Sequence, residues 1–238
     1  MFLIVFFQEE ATKSWDVEIL VALITFLAVL IGNIITIWAN IIQNKKTLKD
    51  NNNKIKRADF ENEKDSYIKK LNEFYIPLRH YLENSKTLFK IFKKDKPKDF
   101  RTLTYLLKPN QKYDGKKVKL NKNDKALLNR IFNIGSEIEN LILKNSYLAG
   151  NDLEFISDYK PRDKYAQISY EKNMTLLSLL ISHLIVIRMA YEQDLSGQMK
   201  KFEGFVFPNE INVRVEEKIK ELNRLILDCE NNMDSLLN

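Results

Sequence analysis

The stretch from Ile19 to Asn44, ILVALITFLAVLIGNIITIWANIIQN, has no charged residue over 26 positions. As an α-helix with about 1.5 Å of rise per residue, it would be about 39 Å long. The hydrocarbon core of a bilayer is about 30 Å thick, so such a helix can cross it with some tilt. We therefore predict a single transmembrane helix over residues 19–44.

The charges on either side of this helix predict its orientation. Residues 1–18 contain one basic and four acidic residues, whereas residues 45–57 contain six basic residues and one acidic residue. Because basic flanks stay in the cytoplasm, we expect residues 1–18 outside the inner (plasma) membrane and the large domain in the cytoplasm. A cleaved signal peptide is the competing interpretation, but it requires a basic start and a shorter apolar core.

One face of the predicted transmembrane helix is small and polar. At 100° per residue, it contains Ala22, Thr25, Val29, Gly32, Asn33, Thr36, Asn40 and Gln43. Since no water competes inside the bilayer, the amides of Asn33 and Asn40 need a partner helix or a wet cavity. We therefore predict a homo-oligomer, with a tetramer as one candidate. Two arrangements stay open beside a monomeric anchor: helices that close together without a pore, and a narrow pore. The residues expected to associate or to line that pore are Thr25, Gly32, Asn33, Thr36 and Asn40.

The remainder of the chain predicts an all-α architecture. Gly (6 residues) and Pro (5) are scarce, which disfavours turn-rich β structure. We expect a charged helical stalk over residues 45–73 and a cytoplasmic helical bundle over residues 74–238 with a basic loop region at 93–123. Pro77 should kink or restart the helix, because it lacks an amide hydrogen and crowds the carbonyl of Glu73.

Three further helices complete this bundle of four main helices. One is expected from Asp124, as its N-cap, to Leu148, ending at Gly150. Another is expected from just after Pro161 to about Phe202, and the last begins at Pro208 and Asn209. The apolar run Leu176–Met189 resembles a second membrane span. However, the uncharged stretch between Lys172 and Arg188 is only 15 residues long, which favours a core helix.

No pattern in the sequence indicates catalysis. There is no Cys/His cluster for a metal, no glycine-rich phosphate loop and no nucleophile motif, so we expect no enzyme, no metal and no cofactor. The two histidines, His80 and His183, are interpreted as hydrogen-bonded core residues. The single cysteine, Cys229, is interpreted as a small apolar residue on a helix face.

A basic segment is the second candidate functional feature. Residues 86–130 contain 15 Lys or Arg and 4 Asp, a net charge of +11, which leaves −5 on the rest of a chain of net charge +6. This asymmetry predicts an anionic partner, either lipid headgroups or a nucleotide or oligonucleotide. Interleaved aromatic residues (Phe89, Phe92, Phe100, Tyr105, Tyr113) are expected where bases stack beside phosphate contacts. The alternative is that Phe89, Phe92 and Tyr105 belong to the core. The predicted contacts are Lys93, Lys94, Lys96, Lys98, Arg101, Lys116, Lys117 and Lys119.

The layout of one membrane helix, a charged stalk, the sequence Phe-Tyr-Ile-Pro-Leu at Phe74 to Leu78 and a small helical domain resembles bacterial single-pass membrane effectors of anti-phage defence. In design it is most similar to the channel effector of the nucleotidyltransferase-linked Hailong system. The resemblance implies an oligomer held by its membrane helices, whose cytosolic domain senses an anionic nucleotide signal and opens a depolarising pore. The alternative is a non-conducting, membrane-anchored adaptor that tethers a cytosolic partner.

Overall fold

The structure is a computed structural model, which describes residues 2–149, 175–195 and 199–236, with side chains from residue 17 onward. Its first element is a single unbroken helix, α1 (Phe2–Lys70), in which the apolar stretch continues directly into the charged segment. From residue 17 to residue 50 every side chain is exposed. Among the described residues, this is the one helix long and apolar enough to cross a membrane.

Pro77 does interrupt the α-helical hydrogen bonding, as predicted. The chain widens into one π-helical turn (Leu71–Tyr75) and then resumes as α2 (Ile76–Lys93), with Pro77 in the first turn. In an α-helix the carbonyl of Glu73 would accept from residue 77, where proline has no N–H. Here the Glu73 carbonyl accepts a hydrogen bond of 2.8 Å from Nδ2 of Asn145 instead.

The other long helices form where predicted, but with different ends. α4 (Lys122–Asn145) has Asn121 as its N-cap, and Asp124, the predicted cap, instead completes a capping box with it. α5 (Leu176–Glu192) is shorter than predicted, and α6 (Glu210–Ser235) follows Pro208 and Asn209 as predicted. The predicted end at Gly150 and the stretch 161–174 lie outside the described residues.

The predicted basic loop region at 93–123 contains regular structure. A short helix, α3 (Thr102–Leu107), lies within it. It is followed by a hairpin of two short antiparallel strands, β1 (Lys112–Tyr113) and β2 (Lys116–Lys117), which we did not predict. Asp114 and Gly115 form its turn, with φ of 46° and 75°.

The chain divides into two units at Asp59 and Phe60. The unit Phe60–Ser235 is a helical bundle, which confirms the predicted all-α class, and it includes the last part of the predicted stalk. It contains two apolar cores. The first is formed mainly by the π-helical turn, α2, α4, α5 and α6. The second is formed by the end of α2, α3, the hairpin, α4 and α5. Nine residues of α5 are buried, so it is a core helix, as predicted.

Candidate functional site

The polar face of α1 is fully exposed, and its two threonines are already satisfied. Thr25 Oγ1 donates to the carbonyl of Val21 and Thr36 Oγ1 to that of Gly32, both at 2.8 Å. Such bonds to the preceding helical turn are the usual way in which a hydroxyl is accommodated in a membrane helix. The threonines therefore do not require a partner from outside the helix.

Asn33 and Asn40 are two of the three side-chain amides of this face, and Gln43 at its end is the third. Each amide carries two donors and an acceptor, and both side chains are exposed. Gly32, beside Asn33, has no atom within 4 Å of the position where a Cβ would lie, so the helix surface is open there. The face thus offers amide groups next to a site where another backbone could approach closely.

Lys96 forms ion pairs within the domain and is not a free surface lysine. Its Nζ lies 3.0 Å from Oδ1 of Asp124 and 2.7 Å from Oδ1 of Asp95, and its side chain is only 4% exposed. Burial lowers the pKa of Lys96, but the hydrogen bonds that it donates to the two carboxylates outweigh this and raise the pKa. Its prediction as a ligand contact is therefore wrong, because a lysine paired with a buried aspartate would leave that charge uncompensated if it turned outward.

The other predicted contacts stay accessible to different degrees. Lys93 is half-buried, with its Nζ 5.9 Å from the ring centre of Phe89. The remaining six are exposed: Lys94, Lys98, Arg101, Lys116, Lys117 and Lys119.

The aromatic residues of the basic segment belong mainly to the second core. Phe92, Phe100 and Tyr113 are 1%, 0% and 1% exposed, and the ring of Phe100 lies 6.0 Å and 5.1 Å from the other two. Phe89 and Tyr105 pack partly buried against the same core. The interpretation of Phe92, Phe100 and Tyr113 as base-stacking residues is wrong, because their faces are covered by the protein itself. Burial, with a smaller effect of Asp99, raises the pKa of Tyr113 to about 12.

The hairpin brings together a lysine pair that sequence reasoning missed. Lys112 is the direct cross-strand partner of Lys117, and Tyr113 is the partner of Lys116. Lys112 was absent from the predicted contacts because the segment was read as a loop. The Asp-Gly pair at Asp114 and Gly115 is a strong indicator of a hairpin and would have revealed it.

Of the two histidines and the cysteine, His183 and Cys229 are buried and His80 is exposed. His183 is buried, with Nδ1 2.6 Å from the carbonyl of Phe205, and burial lowers its pKa to about 4. His80 is exposed, so its interpretation as a core residue is wrong. Cys229 is buried on α6, as predicted, and burial raises the pKa of its thiol. No group of three His, Cys, Asp or Glu side chains that could hold a metal occurs among the described residues.

A small cleft lies between α2 and α6. It has a volume of about 100 Å³, and its charged lining residues are Arg79, Glu83, Lys86 and Glu216. Nε of Arg79 lies 3.8 Å from Oε1 of Glu216. Because two basic and two acidic groups face the same small space, the cleft does not favour an anion.

Comparison with known proteins adds no assignment. No protein family, no curated protein and no solved structure matches the chain.

Proposed function

We propose that this chain is an oligomeric single-pass membrane effector, whose α1 helices associate through the Asn33 and Asn40 face and surround a gated ion path. The observation that carries the proposal is the pair of exposed amides, seven residues apart on one face of an uncharged and mainly apolar helical stretch. Amides at this depth gain a hydrogen bond only from a neighbouring helix or from water in a pore. In a solitary anchor these amides would face lipid without such a partner.

The two threonines favour a pore over a closed helix pair. Because Thr25 and Thr36 donate to their own helix, their oxygens keep free lone pairs on the same face as the two amides. A row of acceptors and amides along a helix is a suitable lining for a narrow, hydrated ion path. We place residues 1–18 outside the inner membrane and the helical domain in the cytoplasm, on the charge asymmetry of the flanks.

The cytoplasmic domain is proposed to respond to an anionic nucleotide or oligonucleotide signal, and the setting to be anti-phage defence. The first part rests on the strongly basic segment of the domain. The second rests on the resemblance in layout to bacterial membrane effectors.

The experiment measures membrane potential in cells that overproduce the chain. We expect the parent chain to depolarise the cells, and Asn33→Leu with Asn40→Leu to abolish this while the amount of protein in the membrane stays the same. The matched control is Ile34→Leu with Ile41→Leu, which keeps the spacing of seven and changes two exposed apolar residues. Depolarisation by the asparagine variant equal to that by the parent would overturn the ion path.

A swap of residues 19–44 for polyleucine separates this function from an adaptor. An effector that conducts ions should lose its activity when its native helix is replaced. A non-conducting adaptor keeps its activity, because any membrane anchor would serve it.

A further inference from the structure

The hairpin holds two like charges directly opposite each other. In an antiparallel pair, directly opposed residues have Cβ atoms about 4.5–5.5 Å apart on the same face, and like charges there are destabilising. Lys112 and Lys117 are such a pair, and both are exposed. Successive side chains of a strand point to opposite faces, so the lysine pair faces away from the core in which Tyr113 is buried.

The hairpin is fixed in place, so this repulsion is not relieved by a loop moving away. Tyr113 anchors it in the second core, with its ring 5.1 Å from that of Phe100. The amide of Asp114 in the turn donates to Oδ2 of Asp99 at 3.0 Å. An anion bound between the two lysines would remove the repulsion.

Three of the four aspartates of residues 93–125 accept hydrogen bonds from within this segment. Residues 93–125 contain 12 Lys or Arg and 4 Asp, a net charge of +8. Asp95 and Asp124 both pair with Lys96, and Asp99 accepts the amide of Asp114. Eight lysines of this segment are exposed, so the segment presents a strong positive charge to solvent: Lys94, Lys98, Lys112, Lys116, Lys117, Lys119, Lys122 and Lys125.

The aromatic residues of this segment narrow the class of polyanion. The rings of Phe92, Phe100 and Tyr113 are buried, and Phe89 and Tyr105 pack partly buried against the same core. The segment therefore lacks the exposed stacking platform that proteins use for single strands, which favours a duplex over a single strand.

We propose that Lys112 and Lys117, with the other exposed lysines of residues 93–125, bind the phosphate backbone of double-stranded nucleic acid without reading its sequence. A duplex hides its bases and exposes its phosphates, and lysine is a point charge suited to phosphate. This inference rests on the proposed function only for its anionic signal, and it names that signal's class and the residues that hold it.

The test uses the full chain in nanodiscs of neutral lipid and a short fluorescent duplex of mixed sequence. We expect binding that weakens as salt rises. Lys112→Glu with Lys117→Glu should weaken it at least about tenfold at 0.1 M salt and reduce the slope of log K against log salt by about two. The matched control is Lys144→Glu with Lys220→Glu, two exposed lysines on α4 and α6, which should bind like the parent. Equal melting temperatures of the variants verify that the hairpin change leaves the fold intact.

Four results would overturn the proposal: no duplex binding by the parent, equal binding by the hairpin variant, equal weakening by both variants, or equal affinity for a single strand. Binding to phosphatidylserine vesicles in place of the duplex would assign the surface to lipid and overturn it too. The measurement is repeated with Asn33→Leu and Asn40→Leu present. Duplex binding by that chain is independent of conduction, so a failure of the ion path and a failure of this inference are distinguishable.

Discussion

At the scale of single residues, His183 makes the stability of the domain sensitive to acid. It is buried in α5, and its pKa is lowered to about 4 by burial, from an ordinary value of 6.5. The unfolded chain therefore binds a proton between pH 6.5 and pH 4 that the folded chain does not. The stability associated with neutral His183 is complete above pH 6.5 and is lost as the pH falls toward 4.

We predict that His183→Gln reduces this acid loss. A glutamine amide can still donate to the carbonyl of Phe205 but does not titrate. The full difference between pH 7 and pH 4 corresponds to about 3 kcal/mol for the histidine. Thermal unfolding followed by circular dichroism across that range would measure it.

The chain provides its own control in His80. Because this histidine is exposed, His80→Gln is the matched control, and its melting temperature is measured over the same pH range. If His80→Gln and His183→Gln flatten the pH dependence equally, or neither does, the buried histidine is not its source.

Lys96 illustrates why single residues of the candidate site were hard to predict. In sequence it is one lysine among many in a basic run, and nothing local distinguishes it from Lys94 or Lys98. Its partner Asp124 is 28 positions away, and only the packing of α4 against the end of α2 brings the two charges to 3.0 Å. Charge density is therefore visible in sequence, but the pairing that removes one member from the surface is not.

At the scale of elements, the junction of α1 and α2 depends on a replacement for the hydrogen bond that Pro77 cannot make. Asn145, at the end of α4, supplies it with its donation to the carbonyl of Glu73. This bond also joins α4 to the π-helical turn. The proline and the asparagine should therefore be energetically coupled.

We predict that Asn145→Ala destabilises the parent by about 1 kcal/mol, as expected for one hydrogen bond. In a Pro77→Ala background the cost should be smaller, because residue 77 regains an N–H that can bond to Glu73. The coupling from a double-mutant cycle should be about 0.5–1 kcal/mol, measured by denaturant unfolding. Additive costs would mean that the asparagine does not compensate for the proline.

Two helix boundaries that were predicted from a proline lie within the described residues. The start of α6 after Pro208 and the interruption at Pro77 were confirmed. By contrast, the predicted α5 was too long, because its N-cap Thr175 and its left-handed C-cap Gln193 (φ 63°) are not distinctive residues. Thr175 Oγ1 accepts from the amide of Ser178 at 2.8 Å, a cap that many threonines could provide.

At the scale of the whole molecule, composition and periodicity were enough to predict a helical bundle and an apolar helix. The sequence could not show where the compact unit begins, since residues 60–73 are as charged as the residues before them. Yet Leu71, Phe74 and Tyr75 are buried in the first core, and Tyr67 packs against it. These contacts involve residues distant in sequence, which no local pattern reveals.

The unit Phe60–Ser235 contains both apolar cores, whereas the side chains described before it, from residue 17, are almost all exposed. We therefore predict that a chain starting at Phe60 folds without the preceding segment. Its melting temperature should be within a few degrees of that of the domain in the full chain, since no buried core residue is removed. Circular dichroism of the purified fragment measures this.

In gel filtration the fragment should be monomeric while the full chain in detergent is oligomeric, because the proposed association depends on Asn33 and Asn40. A fragment that stays oligomeric would place the association in the helical domain, and an unfolded fragment would show that the domain needs α1 before Phe60.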